Sequence, residues 1–401
     1  MKVLIISQYY YPEQFQINDI APELVKRGHD VTVLTGLPNY PEGNIFPGYE
    51  NKDCDEEFIN GVRVIRCNII PRKRDALHLV LNYLSFAINA KRQVKSLKDK
   101  FDVVLCYQLS PVTMLSPAVC YAKKHKVPLI CYCLDIWPES ALGMLKNKRN
   151  IIYAFLKRIS KHLYSHCDRI LVTSKPFIDY FNMLGIEKRK LHYLPQHADS
   201  SYLKIDMTAE DDHTIDFMYA GNMGKGQTLE VIVQAVKMID KKKKFLVHMV
   251  GDGSNRSELQ KMVDELSLSD KFVFYGNQKR ESMPKFYKKA DVLLLTLRGD
   301  NFVGNTMPGK LQTYMTIGKP IFAAINGAAA EVIADSECGA CVAAGDAQGL
   351  SNLMAEFIDN SQKYAECGKR AKEYFSQNFT LEIYTDRLEY QINEAVKEYG
   401  I

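Results

Sequence analysis

The sequence predicts two doubly wound, parallel-sheet α/β domains in tandem, and three observations carry that prediction. The chain has 401 residues, too many for one ordinary domain. Short β-rich runs recur along it, each followed by a helical pattern. Those runs are continuous in Val, Ile, Leu, Phe and Tyr rather than alternating, as strands buried on both faces of a parallel sheet read.

In the first half the runs are 2–7, 30–36, 62–67, 102–107, 128–134, 169–174 and 190–195. In the second half they are 215–221, 245–251, 272–276, 291–297 and 320–325. Two such series imply two Rossmann-like domains. The polar segment 197–213 divides them, giving domains 1–196 and 197–379. After the second, Leu381, Tyr384, Leu388, Ile392 and Val396 recur at helical spacing.

Hydrophobic residues at 46% and charged residues at 25% are ordinary for a soluble enzyme, and a net charge of +5 does not imply a nucleic-acid binder. The charge is local, however: between Arg63 and Lys100 stand ten Lys or Arg and only Asp75 and Asp99. The ten cysteines are scattered singly, the pattern of reduced thiols. Cys338 and Cys341 form one CxxC without a second pair or nearby His, so no metal site is expected. The apolar run at Met1–Ser7 is too short for a leader, and no stretch is long enough to span a bilayer. A cytoplasmic protein is the expectation.

The most informative segment, Gly221-Asn222-Met223-Gly224-Lys225-Gly226, follows a predicted strand and precedes a helical pattern. Glycines let the backbone approach an anion, and Lys225 can place a positive charge against a diphosphate. A tight structural turn with a surface lysine explains the segment equally well. Gly251 and Gly276-Asn277 end two further strands of the same half, and ligands of open α/β sheets bind beyond such carboxyl ends. Asn305-Thr306-Met307-Pro308-Gly309-Lys310 reads as a helix start, with Thr306 near the N-cap and Pro308 in the first turn, offering amides and the Lys310 ammonium to an anion.

In the first half, Gln8-Tyr9-Tyr10-Tyr11-Pro12-Glu13-Gln14-Phe15 follows strand one and contains no glycine. A dinucleotide pyrophosphate cannot lie on such a loop as it does in nicotinamide enzymes. Its aromatics suit either an acceptor wall or simple packing. Asp135-Ile136-Trp137-Pro138-Glu139 follows another strand and holds the only tryptophan.

These residues resemble a known family. Tyr10 to Glu13, Arg27 to Thr35, Pro38-Asn39-Tyr40-Pro41, Asp135 to Ser140, Gly221 to Gly226, Gly251-Asp252-Gly253, and Pro308-Gly309-Lys310 through Gly318-Lys319-Pro320 span the chain in order. Together they are similar to a GT-B glycosyltransferase of the large retaining family 4, in the branch that builds bacterial surface polysaccharides (O-antigen or capsule) with L-fucosamine-type amino sugars. The resemblance implies an active site in a cleft between two domains and a last helix, 380–401, that crosses back to the first. It implies a donor domain that binds a UDP-sugar through Gly221, Asn222, Gly224, Gly226, Gly251, Gly276, Asn277, Asn305, Met307, Pro308, Gly309 and Thr313. Lys225 would contact the diphosphate, amides at Met307–Lys310 the distal phosphate, and Gly276 and Asn277 the base. Tyr10, Tyr11, Phe15, Asn39, Tyr40, Trp137 and Glu139 would face the acceptor, a glycan or a polyprenyl-diphosphate-linked glycan. The sequence departs from the family where relatives carry two glutamates, here Asn305 and Thr313, and where they read His before the aspartate, here Leu134.

The implied reaction is attack of an acceptor hydroxyl on the anomeric carbon. Lys225, Lys310 and amides would stabilise the leaving diphosphate, and Asp135 would orient the acceptor or act as base. No DxD-type motif stands beside a donor strand, so neither a metal nor any other cofactor is expected. Two alternatives keep the same architecture: a UDP-sugar 2-epimerase, and a nucleotide- or glycan-binding protein without catalysis. Finally, Arg72-Lys73-Arg74, the spaced Leu77, Leu81, Leu84 and Ile88, and Lys91, Arg92, Lys95 and Lys98 make 72–100 either an interfacial segment on an anionic membrane or a helix packed on the sheet with solvated lysines.

Overall fold

The computed structural model describes residues 1–50, 56–73, 75–142, 148–208, 213–299 and 306–400. The chain forms two compact units: Met1–Pro195 with Leu381–Ile401, and Gln196–Thr380. Asn305 and Arg74, both singled out above, lie outside the described residues.

Each expected apolar run is a strand. Unit 1 contains β1 (Lys2–Ile6), β2 (Asp30–Gly36), β3 (Glu56–Ile59), β4 (Val62–Cys67), β5 (Val103–Gln108), β6 (Leu129–Cys133), β7 (Arg169–Val172) and β8 (Leu191–Tyr193). Their order in the sheet is β3-β4-β2-β1-β5-β6-β7-β8, parallel except for β3 on β4. Unit 2 contains β9 (Ile215–Ala220), β10 (Phe245–Val250), β11 (Phe272–Gly276), β12 (Val292–Thr296), β13 (Ile321–Ala324) and β14 (Gly339–Val342), in the order β11-β10-β9-β12-β13-β14. Strand order reverses at β1/β5 and at β9/β12, which opens a crevice at the carboxyl end of each sheet.

Two strands escaped the sequence pattern. The edge strand β3 is only Glu-Glu-Phe-Ile, and β14 is Gly-Ala-Cys-Val, too poor in β-branched residues to stand out. The second explains the CxxC: Cys341 is a strand residue whose thiol donates to the Ile325 carbonyl at 3.4 Å, and Cys338 is buried.

Helices cover both faces of each sheet. In unit 1, α1 (Ile17–Lys26) packs on one face, and α2 (Ala76–Ser96) and α3 (Leu115–His125) on the other, followed by α4 (Ile151–Ser165) and α5 (Pro176–Leu184). In unit 2 the helices are α6 (Glu230–Met238), α7 (Arg256–Glu265), α8 (Met283–Lys289), α9 (Gly309–Ile317), α10 (Gly327–Ser336), α11 (Ala347–Asp359) and α12 (Cys367–Asn378). The last helix, α13 (Leu381–Glu398), belongs to unit 1, where Tyr384, Leu388, Ile392 and Val396 enter the core beside α1. Arg27 grips it through Glu389 at 2.7 Å and Asp386 at 2.5 Å, and His29 through Glu389 at 2.7 Å. The Arg27-Gly28-His29 segment is thus a clasp for α13.

Helix α2 buries one face and carries a second, exposed apolar stripe. Leu77, Leu84 and Ile88 are 65%, 46% and 51% exposed, whereas Asn82 is fully buried. Phe86, Ala87, Ala90 and Val94 face the sheet instead. Of the expected stripe in 72–100, Leu77, Leu84 and Ile88 stand exposed and Leu81 is half-buried, so the helix packs on unit 1 with solvated lysines but through other residues than that stripe.

Candidate functional site

In unit 2 three loops leave the carboxyl edge of adjacent strands β9, β10 and β11, and their glycines bring them together. Gly221, with φ +141°, and Gly251, with φ +128°, adopt conformations that L side chains avoid. A Cβ on Gly251 would lie 2.0 Å from the Gly221 carbonyl, and one on Gly253 would lie 2.5 Å from the Met223 backbone. The loops thus nest backbone against backbone. They enclose a cavity of about 480 Å³ lined by Ala220, Gly221, Asn222, Val250, Gly251, Asp252, Asn277, Gln278, Met283 and Tyr287.

Lys310 sits behind Gly221, its Cε 2.8 Å from where a Cβ would project. Its ammonium donates to the Tyr219 hydroxyl and to Gln227 Oε1 at 3.3 Å, and lies 3.7 Å from the centre of the Tyr219 ring. No acid appears in this set, and burial pushes the Lys310 pKa down to about 7. Among the described residues no carboxylate pairs with this amine, so a charged Lys310 could receive an anionic ligand.

The helix start lies one residue later than the sequence implied. Pro308 is the N-cap of α9, with φ −75° and ψ 136°, and Gly309 opens the helix. No side chain caps it, so the first amides face outward with the helix dipole behind them. Met307 packs its side chain on the core, and Thr313 returns its hydroxyl to the Gly309 carbonyl at 3.2 Å, the geometry of an ordinary helical threonine.

Lys225 does not join Lys310. The chain after Gly224 makes a 3₁₀ turn, Lys225–Gln227, which directs Gln227 inward and leaves Lys225 in solvent, 4.0 Å from Glu258. Gly226 has open space around its Cα, so unlike Gly221 and Gly251 it is not required by close approach. Gly224 would press only on its neighbour Asn222, and Gly276, with φ +69°, backs onto the Arg256 guanidinium.

In unit 1 the loops after β1, β2, β4, β5 and β6 meet at one edge. Tyr9 and Phe15 stack at 5.1 Å, and both touch Tyr40, at 5.7 and 5.4 Å. Tyr11 and Tyr40 are exposed. Tyr10, expected beside them, is buried in the core under α1, because alternate residues of the extended loop face opposite ways. Asn39 is also buried. Its Oδ1 accepts from the Arg72 amide at 3.0 Å and from Asn82 at 3.3 Å, which makes it a structural clip rather than an acceptor contact. Glu139 is similarly spent on Tyr153 at 2.7 Å and Lys148 at 3.1 Å.

Asp135 accepts hydroxyl protons from Ser110 and Ser140, and Trp137 Nε1 donates to Ser110 at 2.9 Å. The aspartate is therefore fixed by two serines from the β5 and β6 loops. Glu13 lies buried among the aromatics, where its Oε1 accepts the amides of Asn39 and Tyr40 at 2.8 and 2.7 Å. Burial nevertheless outweighs those bonds and raises its pKa to about 7. Sequence reasoning missed Tyr219, Gln227, Glu13, Ser110, Tyr83 and the position of Arg72. Of these, Glu13 stood inside the motif after strand one, and Tyr219 and Gln227 flanked the glycine turn, but residue type alone did not mark them as site residues.

Residues 15–201 match the Glycosyltransferase Family 4 model, and residues 204–374 match Glycosyl transferases group 1. Among curated proteins the chain is similar to the glycosyl transferase WcaI of Escherichia coli, assigned to colanic acid biosynthesis: 23% identical over 345 residues, 79% of this chain and 82% of that one. It is 25% identical over 259 residues to the probable glycosyltransferase WbjE of Pseudomonas aeruginosa, 61% and 63% of the two chains. Among solved structures, Anabaena Alr3699/HepE in complex with UDP and glucose superposes with a TM-score of 0.69 at 16% identity, over 98% of this chain and 100% of that one. The lipopolysaccharide outer core galactosyltransferase WaaB superposes with a TM-score of 0.66 at 13% identity, covering 99% of each. At such identities the likeness is one of fold, and that fold is GT-B.

Proposed function

From a chain that carries Glycosyltransferase Family 4 and group 1 domains in a GT-B fold, we infer a retaining transferase that moves a sugar from a UDP-sugar to a glycan or polyprenyl-diphosphate-linked acceptor during bacterial surface polysaccharide assembly. The observation that carries this reading is the buried, acid-free Lys310 beside an uncapped helix start and a glycine-lined cavity of about 480 Å³. That combination suits a nucleoside diphosphate, the ligand held in the solved Anabaena relative. The L-fucosamine-type donor remains part of the proposal, supported by the sequence resemblance.

The acceptor hydroxyl forms the new bond to the anomeric carbon as the bond to the distal phosphate oxygen breaks. The leaving diphosphate develops charge against Lys310 and the α9 amides, which are already in place, and it takes up the acceptor proton. Because these groups supply positive charge from the protein itself, activity is expected to persist in excess EDTA. Asp135, held by two serines, orients the acceptor hydroxyl.

The lipid-linked acceptor is supported by the exposed face of α2. Leu77, Leu84 and Ile88 are flanked by exposed Lys91, Arg92, Lys95 and Lys98, and α4 presents exposed Ile151, Ile152 and Phe155. Both helices pack on the same turn, Val112–Met114. No described helix is long and apolar enough to cross a membrane, so contact at the cytoplasmic surface of an anionic bilayer is the proposed mode.

The test is incubation with a panel of UDP-sugars and polyprenyl-linked acceptors, read by mass spectrometry and NMR. The expected product is an acceptor heavier by one sugar, with the donor's anomeric configuration and released UDP. Epimerised UDP-sugar without any acceptor product would instead identify an epimerase. Failure of every UDP-sugar to raise Tm would remove the donor site.

A further inference from the structure

Arg72 was expected to open the basic segment 72–100 of a membrane-facing surface, and its guanidinium instead turns to aromatic rings. Its guanidinium lies 5.2 Å from the centre of the Tyr40 ring and is close enough to bear on the hydroxyls of Tyr9 and Tyr83. Among the described residues no carboxylate pairs with it. The acid of the same loop cluster, Glu13, is turned to the Asn39 and Tyr40 amides, and the positive charge that bears on it is that of Arg66.

A buried polar chain fixes this arrangement. Gln8 donates to Asn82 at 2.6 Å, Asn82 donates to the Ile70 carbonyl at 2.7 Å and to Asn39 at 3.3 Å, and Asn39 in turn accepts the Arg72 amide. The next amide, that of Lys73, donates to the Gly43 carbonyl at 3.0 Å. Buried side-chain networks of this kind specify one geometry, and this one accounts for a fully buried asparagine on α2. What it specifies is the course of the backbone through Arg72. Packing alone explains neither an arginine held among aromatic rings without an acid nor the polar network that holds it there.

Tyr83 connects this cluster to Trp137, whose ring it meets edge-on at 6.5 Å, and it lies within the electrostatic reach of both Arg72 and Asp135.

We propose that Arg72, caged by Tyr9, Tyr40 and Tyr83, is an anion-recognition residue of unit 1 that binds a phosphate or carboxylate carried by the acceptor. The inference rests on unit 1 being the acceptor side, as proposed above. The two sources share planar or tetrahedral oxyanion chemistry, which a guanidinium takes through two parallel N–H bonds. A lipid-linked acceptor supplies the phosphate, and an acidic sugar supplies the carboxylate.

Trp137 makes the test direct, because it is the only tryptophan in the chain. The full chain, saturated with UDP to block anion binding in unit 2, is titrated with methyl phosphate and separately with methyl glucuronide. The parent should show a saturable change in Trp137 fluorescence with at least one of them, in the millimolar range. Stronger binding of methyl phosphate assigns the lipid-linked source, and stronger binding of the glucuronide assigns the acidic sugar. Arg72→Gln should weaken the preferred anion about tenfold or more, and Arg72→Lys should fall between, since it keeps the charge but loses the fork. Tm and UDP affinity should stay at parent values in both, because the Asn39 contact uses only the Arg72 backbone amide. No saturable change in the parent, or equal binding by parent and Arg72→Gln, overturns the proposal. Sugar transfer measured in parallel separates the two levels: transfer without anion binding refutes Arg72 alone, and absence of any UDP-sugar turnover refutes the underlying functional reading.

Discussion

Replacing Lys310 with methionine should stabilise the ligand-free chain and weaken UDP binding, a pairing that few binding-site substitutions produce. The side-chain volume is nearly kept, while the ammonium behind Gly221 is removed. Burial lowers the Lys310 pKa from the ordinary 10.5 to about 7, which corresponds to about 5 kcal/mol of cost for keeping the amine charged in the folded chain. Between pH 7 and 10.5 the unfolded chain holds this proton and the folded one sheds it. Stability therefore rises with pH across that window, and the full cost is felt below it. Lys310→Met should abolish this slope and raise Tm near pH 7.

The ligand then restores the proton. At pH 8.5 an amine with pKa about 7 is almost entirely neutral, and the second phosphate ionisation near pH 6 leaves UDP fully charged. A diphosphate placed against Lys310 should draw in about one proton per UDP bound. Calorimetry in HEPES and in Tris, whose ionisation enthalpies differ, reads that number directly. The parent should take up close to one proton at pH 8.5 and far less at pH 6.5, and Lys310→Met none at pH 8.5. The mutant should also bind UDP weaker by about 1.5–3 kcal/mol, the worth of a charge-assisted contact. Equal UDP affinity in parent and mutant, or no proton uptake by the parent at pH 8.5, would refute the assignment of Lys310 to the diphosphate.

Gly251→Ala should cost about 2–4 kcal/mol in urea denaturation, since its Cβ would fall 2.0 Å from the Gly221 carbonyl at φ +128°; parent-like stability would show that the loops do not nest as described. Glu13, with its pKa raised by burial to about 7, contributes stability that is fully present below its ordinary 4.5 and is lost as pH rises through 7, by about 3 kcal/mol. Glu13→Gln should remove that decline between pH 4.5 and 7, and an unchanged decline would assign it to other groups. Leu84→Glu with Ile88→Glu should release the chain from anionic liposomes at low salt without lowering Tm, because both side chains are exposed; undiminished co-sedimentation would move membrane contact away from α2.

The glycine-lined cavity of unit 2 was more legible in the sequence than the aromatic loops of unit 1, and the reason is physical. Phosphate cradles are made by backbone, so they demand glycine at fixed strand ends, and Gly221 and Gly251 announce themselves by residue type alone. Even there, residue type did not give direction. Lys225 and Gln227 stand in one glycine-rich turn, and only the 3₁₀ geometry shows which of them turns inward. In unit 1 the parts come from loops after five strands, and their surroundings depend on facing. Tyr9 and Tyr10 are neighbours with the same chemistry, yet one stacks on Phe15 and Tyr40 while the other enters the core. Asn82, a polar residue among the apolar positions of α2, is the buried centre of the hydrogen-bond chain that reaches the Arg72 backbone. The inward side of α2 is Asn82 with Phe86, Ala87, Ala90 and Val94, and Leu77, Leu84 and Ile88 stand on the outward side. The buried Asn82 amide holds the Asn39 oxygen that also accepts from the Arg72 N–H. Asn82→Leu should accordingly disturb the anion response of Trp137 while leaving the outward stripe apolar.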